Sequence, residues 1–283
     1  MRRRGTVLVL FFLLFALAAG GWGEDLSGVA GIFDLGTGGR PLGMGSAFLA
    51  LADDENASFY NPAGLGWLER VGVHSLFTQG FGGVSYGVVG LALPGLGVTV
   101  MQIDSGPILS GEETFRYVSQ AGVVSCGISL GPLGLGGRLK LYRVSEPYTA
   151  WGVAFDPALL LRVGFMQVGL LAENVLAAPI VFGDGHTENW EPALEVGVAL
   201  VGEPWPGARW AVLVEGSDLL ARDPALRGGL EVWMGALAAR VGHDGSTGSL
   251  GLSVRFANLE VDWAYGVSSD LGESHRLSLV FRF

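Results

Sequence analysis

The predicted fold class is all-β: a fourteen-stranded antiparallel transmembrane β-barrel with a small N-terminal helical hatch. Three observations predict it. After residue 70 apolar side chains alternate with other residues at period two, which puts them on opposite faces of a strand. The alternating stretches are about ten residues long, the length a tilted strand needs to cross the hydrocarbon layer. The chain has 47 glycines and only 16% charged residues among its 283 positions, too few charges and too many glycines for an ordinary water-soluble domain.

Taken in order, the chain opens with a leader. Arg2, Arg3 and Arg4 precede the apolar run Val7 to Ala19, and Ala16-Leu17-Ala18 supplies the small residues of a cleavage site, so residues 1–20 read as a signal peptide. The run is shorter than a membrane-spanning helix, and no Cys near the junction offers a lipoprotein acceptor. The lone Cys126 excludes an intrachain disulfide framework and a Cys-rich metal site. A net charge of −10 without a basic run excludes a generic nucleic-acid binder. The acids of Asp53-Asp54-Glu55 and Glu112-Glu113 sit between apolar segments and read as solvated loops.

Residues 24–69 do not alternate. Arg40 to Ala52 carries Leu42, Phe48, Leu49 and Leu51 at helical spacing and stops at Asp53-Asp54; Asn61-Pro62 signals a second short helix, Asn as cap and Pro at the first helical position. The segment is too small to fold alone and is expected to sit inside the barrel as a plug.

Residues 70–283 form the barrel. Strands are predicted near 70–77, 82–93, 95–104, 119–130, 132–143, 150–162, 164–173, 192–201, 208–216, 225–234, 236–242, 247–256, 258–266 and 274–283. Alternate junctions are minimal, at Pro94, Gly131, Val163, Gly235 and Ala257, with a compact Gly202 to Gly207, as expected on one side of such a barrel. Ser105 to Val118 and Glu173 to Glu191 are the longest loops, and Asp104 to Pro107 is where a break in the third strand would fall. A bundle of membrane helices is the main competitor, because Gly82 to Ile103 is uncharged; its six glycines and Pro94 argue against it. A soluble sandwich should show polar outer faces, and several strands here are apolar or glycine on both.

Charges on the second face mark a lumen. Arg138 and Lys140, Arg209 and Glu215, Arg227 and Glu231, and Glu260 and Asp262 all alternate with apolar or small residues. A cation facing lipid at mid-membrane costs about 2–4 kcal/mol, so alternation sends these side chains inward. Their mixed sign suggests paired charges in a partly filled pore.

The string Gly39-Arg40-Pro41-Leu42-Gly43-Met44-Gly45-Ser46-Ala47-Phe48, then Ala52-Asp53-Asp54 and Tyr60-Asn61-Pro62-Ala63-Gly64-Leu65, resembles the N-terminal hatch of FadL-like outer-membrane proteins, especially the PorV/PorQ-type branch. The resemblance implies a bacterial outer-membrane protein that binds or transports hydrophobic small molecules such as long-chain fatty acids. It also implies a channel that opens sideways, with Arg40, Leu42, Met44, Phe48 and Phe59 lining or blocking the ligand path and Asn61, Pro62 and Ala63 fixing the hatch. The PorV-like branch implies instead a role in type IX secretion, with exported proteins as partners. Phe281 and terminal Phe283 look like the signal read by the barrel assembly machinery.

Two patterns point elsewhere. Gly83-Val84-Ser85-Tyr86-Gly87 matches the serine-hydrolase elbow, which needs a strand, a sharp turn and a helix, whereas apolar alternation runs straight through it. His74, His186, His243 and His275 are scattered, and Asp184, His186 and Glu188 lack metal-ligand spacing. No enzyme activity, cofactor or metal is expected; the expected partners are outer-membrane lipid and a hydrophobic ligand.

Overall fold

The computed structural model describes residues 31–80, 83–110, 113–146, 149–220, 224–268 and 272–283. The leader predicted over 1–20 and the first part of the hatch lie outside the described residues.

Sixteen strands follow the N-terminal segment: β1 (Gly72–Gly80), β2 (Val84–Leu93), β3 (Leu96–Ser110), β4 (Glu113–Leu130), β5 (Leu133–Glu146), β6 (Ala150–Val163), β7 (Met166–Glu173), β8 (Leu176–Phe182), β9 (Thr187–Glu188), β10 (Ala193–Trp205), β11 (Ala208–Ser217), β12 (Ala225–Met234), β13 (Leu237–His243), β14 (Thr247–Phe256), β15 (Leu259–Ser268) and β16 (Gly272–Arg282). Fourteen of them close into one antiparallel ring, each pairing with the next along the chain, β7 with β10, and the first with the last. The pair β8 and β9 stands outside this count. β8 carries on along β6 past the point where β7 stops, and β9 folds back on β8.

Alternation and burial agree strand by strand. Along β15, Glu260, Asp262 and Ala264 are buried while Leu259, Val261, Trp263 and Tyr265 are less covered. Along β16, Leu277, Leu279 and Phe281 are exposed while Ser278 and Val280 are buried. Val89, Val100, Leu141, Leu252 and Leu277 belong to a girdle of outward aliphatic side chains around the ring. Such a girdle suits a hydrocarbon surround, where a closed ring leaves no backbone edge unpaired. Among the described residues no helix is long and apolar enough to cross a membrane, and Val84 to Ile103 is two strands joined by a turn rather than a helical span.

One end of the ring carries the tight turns, at Pro94-Gly95, Gly131-Pro132, Gly164-Phe165, Pro206-Gly207, Gly235-Ala236 and Ala257-Asn258. The ring begins and finishes there too, with the Phe283 N–H donating to the Val71 carbonyl at 2.9 Å. The opposite end carries the longer connections.

Three expectations need correction. Ser105 to Val118 is not a loop: β3 and β4 continue through it, paired as far as Ser110 and Glu113. Glu173 to Glu191 is likewise structured, by β8 and β9. Gly202 to Trp205 belongs to β10, with a register shift that absorbs the extra residues. Turn-forming Gly, Ser and Pro disguised all three, since a bulge uses the same residues as a turn.

The segment 31–69 threads the ring from the loop end to the tight-turn end. Near the loop end the Tyr86 hydroxyl donates to the Gly36 carbonyl at 2.8 Å; near the other end the Gly95 N–H donates to Leu65 and the Ser129 hydroxyl to Gly66. A continuous helix over 40–52 does not form. α1 (Gly39–Leu42) is a single turn, followed by turns in which Gly45 has φ +64° and Ser46 φ +58°, a left-handed backbone that ends a right-handed helix. Another single turn, α2 (Ala57–Tyr60), precedes a 3-10 helix at Pro62–Trp67, where the Asn61 side chain accepts from the Ala63 N–H at 3.1 Å as the cap residue should.

A charge on the girdle tests the orientation of the faces. Leu252→Arg is expected to destabilise the barrel by about 2–4 kcal/mol, measured by reversible urea unfolding in phospholipid vesicles. A cost near zero would show that this face is not in hydrocarbon.

Candidate functional site

The lumen is filled by backbone pressed against backbone. Inward positions on facing strands are glycine where the N-terminal segment passes: a Cβ on Gly242 would overlap the Met44 carbonyl carbon, and one on Gly136 the Ala63 nitrogen. Only glycine lets two main chains approach so closely. Leu42, Met44, Phe48 and Phe59 are all buried in this packing. Phe48 meets Tyr60 edge-on at 5.6 Å, and Phe59 meets Tyr60 at 5.1 Å, the geometry aromatic pairs prefer.

Ion pairs hold what remains. Arg40 is the hub: Nε reaches Glu231 of β12 at 2.7 Å, and Nη1 reaches Asp53 and Asp54 at 2.7 Å each. Glu231 also accepts from Arg240 at 2.7 Å, and Arg209 reaches Asp53 from the far side. Burial alone would lower the Arg40 pKa, but attraction to Asp53, Glu231 and Asp54 outweighs it and holds the guanidinium above its ordinary range. Asp53 shows the converse. Burial would raise its pKa, and Arg40 and Arg209 together pull it well below the usual carboxylate range.

The remaining predicted lumen charges fall into similar clusters. Arg138 and Lys140 of β5 share Asp156 of β6 and Glu173 of β7, at 2.6–3.0 Å. Arg138 also donates to the Phe59 carbonyl, so this cluster holds the segment as well as the wall. Arg227 lies 3.4–3.5 Å from Glu195 and Glu215, and Glu215 accepts from the Leu49 N–H at 3.0 Å. Glu260 accepts from Arg255 and Arg282, and Arg282 reaches Glu55 at 2.5 Å. Asp262 accepts from Ser253 and packs beside Gly39. All eight predicted lumen residues point inward; Arg209 is the least covered, its side chain 37% exposed.

The acids of Asp53-Asp54-Glu55 are therefore not solvated loop residues. Asp54 and Glu55 are buried, and all three carboxylates contact arginines inside the ring. Glu112, from the other acidic pair, lies outside the described residues. Burial and the neighbouring Asp54 push the Glu55 carboxyl up against the pull of Arg282. Tyr60 is pushed up to about 12 by burial and stays protonated; its hydroxyl donates to the Thr37 carbonyl and accepts from the Thr37 N–H, both at 3.1 Å.

Asn61 does more than cap its helix. Its Nδ2 donates to the Leu49 carbonyl at 2.9 Å and to the Leu159 carbonyl of β6 at 3.0 Å, tying two parts of the segment to the wall. Pro62 and Ala63 lie against Gly127 and Gly136. Phe281 and Phe283 pack edge-on at 4.8 Å on the outside of the tight-turn end.

One sizeable cavity stands open at the loop end. It holds about 320 Å3 and is lined by Ile32 and Leu35 of the N-terminal segment, Val84 and Tyr86 of β2, Ile103 of β3 and Tyr117 of β4, with Thr78, Ser274 and Arg276 among its polar groups. None of the predicted ligand-path residues lines it. A smaller polar cleft of about 50 Å3 lies beside Phe59, Tyr60, Arg138, Glu195 and Arg227. The predicted break at Asp104 to Pro107 is a bulge in the β3–β4 pairing, and it is sealed: the Ser105 hydroxyl accepts the Tyr117 N–H at 2.9 Å. Ser85 sits in β2, with no helix after it to form a nucleophile elbow. His186 contacts Glu188 at 3.3 Å on the surface.

The cavity and half of the ion-pair partners are not among the residues singled out from the sequence. Asp156, Glu173, Arg240 and Arg282 obey the same inward alternation as the predicted lumen charges and were within reach of that rule. The cavity residues come from five strands and the N-terminal segment and share no sequence signal.

No protein-family model matches the chain, and no curated protein matches it in sequence. Solved structures do. The monoaromatic hydrocarbon channel CymD superposes with TM-score 0.61 at 13% identity, over 88% of this chain and 98% of that one. The toluene transporter TodX of Pseudomonas putida gives 0.57 at 10% identity, over 87% and 97%, and the toluene transporter TbuX of Ralstonia pickettii gives 0.56 at 10%, over 87% and 98%. The chain thus has the closed fourteen-strand barrel fold that these channels and transporters share.

The Arg40 hub yields two expected outcomes. Arg40→Ala leaves the buried Asp54 without its arginine and leaves Asp53 and Glu231 with one arginine each, and should cost about 3–5 kcal/mol, read as a lower unfolding midpoint in detergent. Asp53→Asn should be costly at neutral pH, and that cost should shrink on acidification. A carboxylate with a lowered pKa stabilises fully above its unfolded value and loses that contribution only as pH falls toward the folded one. A cost independent of pH would contradict the ion-pair reading.

Proposed function

We propose that this chain is a bacterial outer-membrane barrel that binds hydrophobic small molecules at its cell-surface end and passes them inward past a hatch formed by residues 31–69. The observation that carries this reading is the largely apolar cavity at the loop end of a barrel whose centre is otherwise filled. Sites for small hydrophobic ligands are concave, mostly apolar and fitted with a few placed polar groups; Arg276, Thr78 and Ser274 are the polar groups here. The fold shared with hydrocarbon channels supports the same reading.

In this reading the tight-turn end faces the periplasm and the girdle faces lipid. The leader is cleaved on export, and Phe281 and Phe283 present the assembly signal. Arg40, Asn61 and the Arg138 cluster hold the hatch shut, with Leu42, Met44, Phe48 and Phe59 as the packed apolar layer that must shift for a ligand to pass. Cavity binding is the first step, driven by apolar burial at roughly 25 cal/mol per Å2.

Binding of radiolabelled toluene and of radiolabelled oleate to the protein in lipid nanodiscs tests it. One saturable site is expected for at least one of the two, lost in Val84→Trp, which fills the cavity, with the unfolding midpoint unchanged. No saturable binding of either, or a Val84→Trp protein that binds as well as wild type, would overturn the reading.

A further inference from the structure

The outer wall carries a polar row across β3 to β6. Gln102 of β3 stands opposite Gln120 of β4, Gln120 opposite Arg143 of β5, and Arg143 opposite Trp151 of β6. Their strand neighbours Met101, Ser119, Tyr142 and Ala150 are buried in the lumen, so alternation turns all four side chains outward. Gln120 Nε2 donates to Gln102 Oε1 at 2.9 Å. The Arg143 guanidinium lies over the Trp151 ring, 4.9 Å from its centroid, a cation held against a π face.

This row tops the aliphatic girdle. Toward the tight turns the next outward residues are Val100 on β3, Leu141 on β5 and Val153 on β6, all exposed. Val153 and Val163, where β6 meets its tight turn, are ten residues apart; a strand rising about 3.3 Å per residue at a tilt of roughly 40° covers about 25 Å of height in that distance, the full apolar band of such a barrel. Arg143 and Trp151 therefore stand where hydrocarbon gives way to headgroups, the depth that tryptophan favours.

Arg143 has no acid of its own at that depth. Arg116, the other exposed arginine on these four strands, bonds Asp104 at 2.5 Å, whereas among the described residues no carboxylate pairs with Arg143. Directly below Gln120 the outward residue is Gly122, set between Val100 and Leu141. A Cβ on Gly122 would meet only the Leu141 Cβ, at 4.0 Å. A narrow furrow with a backbone floor and aliphatic sides thus opens in the girdle beneath the polar row.

We propose that the row and the furrow form a site for one phosphorylated lipid of the surrounding leaflet. Arg143 takes the phosphate, the amides of Gln102 and Gln120 bond the neighbouring ester or hydroxyl oxygens, and an acyl chain lies over Gly122 between Val100 and Leu141. A planar guanidinium matches a phosphate through two parallel hydrogen bonds, and the furrow adds the apolar contact that a free anion does not use. The inference rests on the membrane orientation proposed above and is independent of the cavity.

Native mass spectrometry of the delipidated protein with dioleoylphosphatidic acid, and with dioleoylglycerol as the same chains without phosphate, tests the site. Wild type is expected to retain the phosphorylated lipid about tenfold better, the factor for one charge-assisted hydrogen-bonded pair. Arg143→Gln should abolish that preference, and Gly122→Phe, which fills the furrow, should lower retention of both lipids. Arg116→Gln should behave as wild type, and excess inorganic phosphate should not displace the lipid; unfolding midpoints of the three variants check that each is folded. Equal retention of the two lipids by wild type, wild-type retention in Arg143→Gln or Gly122→Phe, an equal loss in Arg116→Gln, or displacement by inorganic phosphate would each overturn the site. Val84→Trp should keep the lipid and Arg143→Gln should keep cavity binding, so that failure of one reading is seen apart from failure of the other.

Discussion

Closure of the backbone hydrogen-bond ladder between β1 and β16 is the constraint on which everything else in this molecule depends. Seven residue pairs, from Gly72 with Arg282 to Thr78 with Arg276, join the first strand to the last. Without that seam a row of N–H and C=O groups would lack partners, which in a hydrocarbon surround costs several kcal/mol for each group. With it, side chains are free to sort by face: aliphatic outward, and small or charged inward. The inward face then has its own problem, because buried charge is tolerable only when paired.

The N-terminal segment solves that problem, and the wall is shaped to receive it. Glycines at Gly136, Gly169 and Gly242 let main chain lie on main chain, which removes empty volume but supplies no side-chain grip. The grip comes from ion pairs. Arg40 joins two parts of the segment to β12, Arg138 joins β5, β6 and β7 to Phe59, and Glu55 and Arg282 join it to the last strand. Removing an arginine leaves buried carboxylate with fewer partners, so each cluster acts as a latch between segment and wall. The centre is shut by this arrangement, and the open volume is displaced to the loop end.

Much of this could be read in advance. Fourteen strands were legible because a closed barrel wall imposes a strict period of two, with residues such as Leu277, Leu279 and Phe281 all on the outward face. Inward charges were legible by the same rule at Arg138, Lys140 and Glu231. The rule says where a side chain points but not what it meets, and that is where the reading ran out. Asp53, Asp54 and Glu55 looked like solvated loop acids because Arg209, Glu231 and Arg282 are far away in sequence. The 40–52 stretch had helical spacing, but left-handed Gly45 and Ser46 bend it to follow the wall. The β3–β4 ribbon carries the Gly and Pro of a loop and uses them for a bulge.

Backbone amide hydrogen exchange in lipid nanodiscs, resolved over residues 39–67 and over the β1–β16 seam, is the most direct measure of a closed ring with a latched interior. Both regions should exchange as slowly as the most protected strands, because neither can open without stranding buried charge or unpaired backbone. Exchange of residues 39–67 within seconds, beside a fully protected seam, would show that the interior is not latched and would contradict the account.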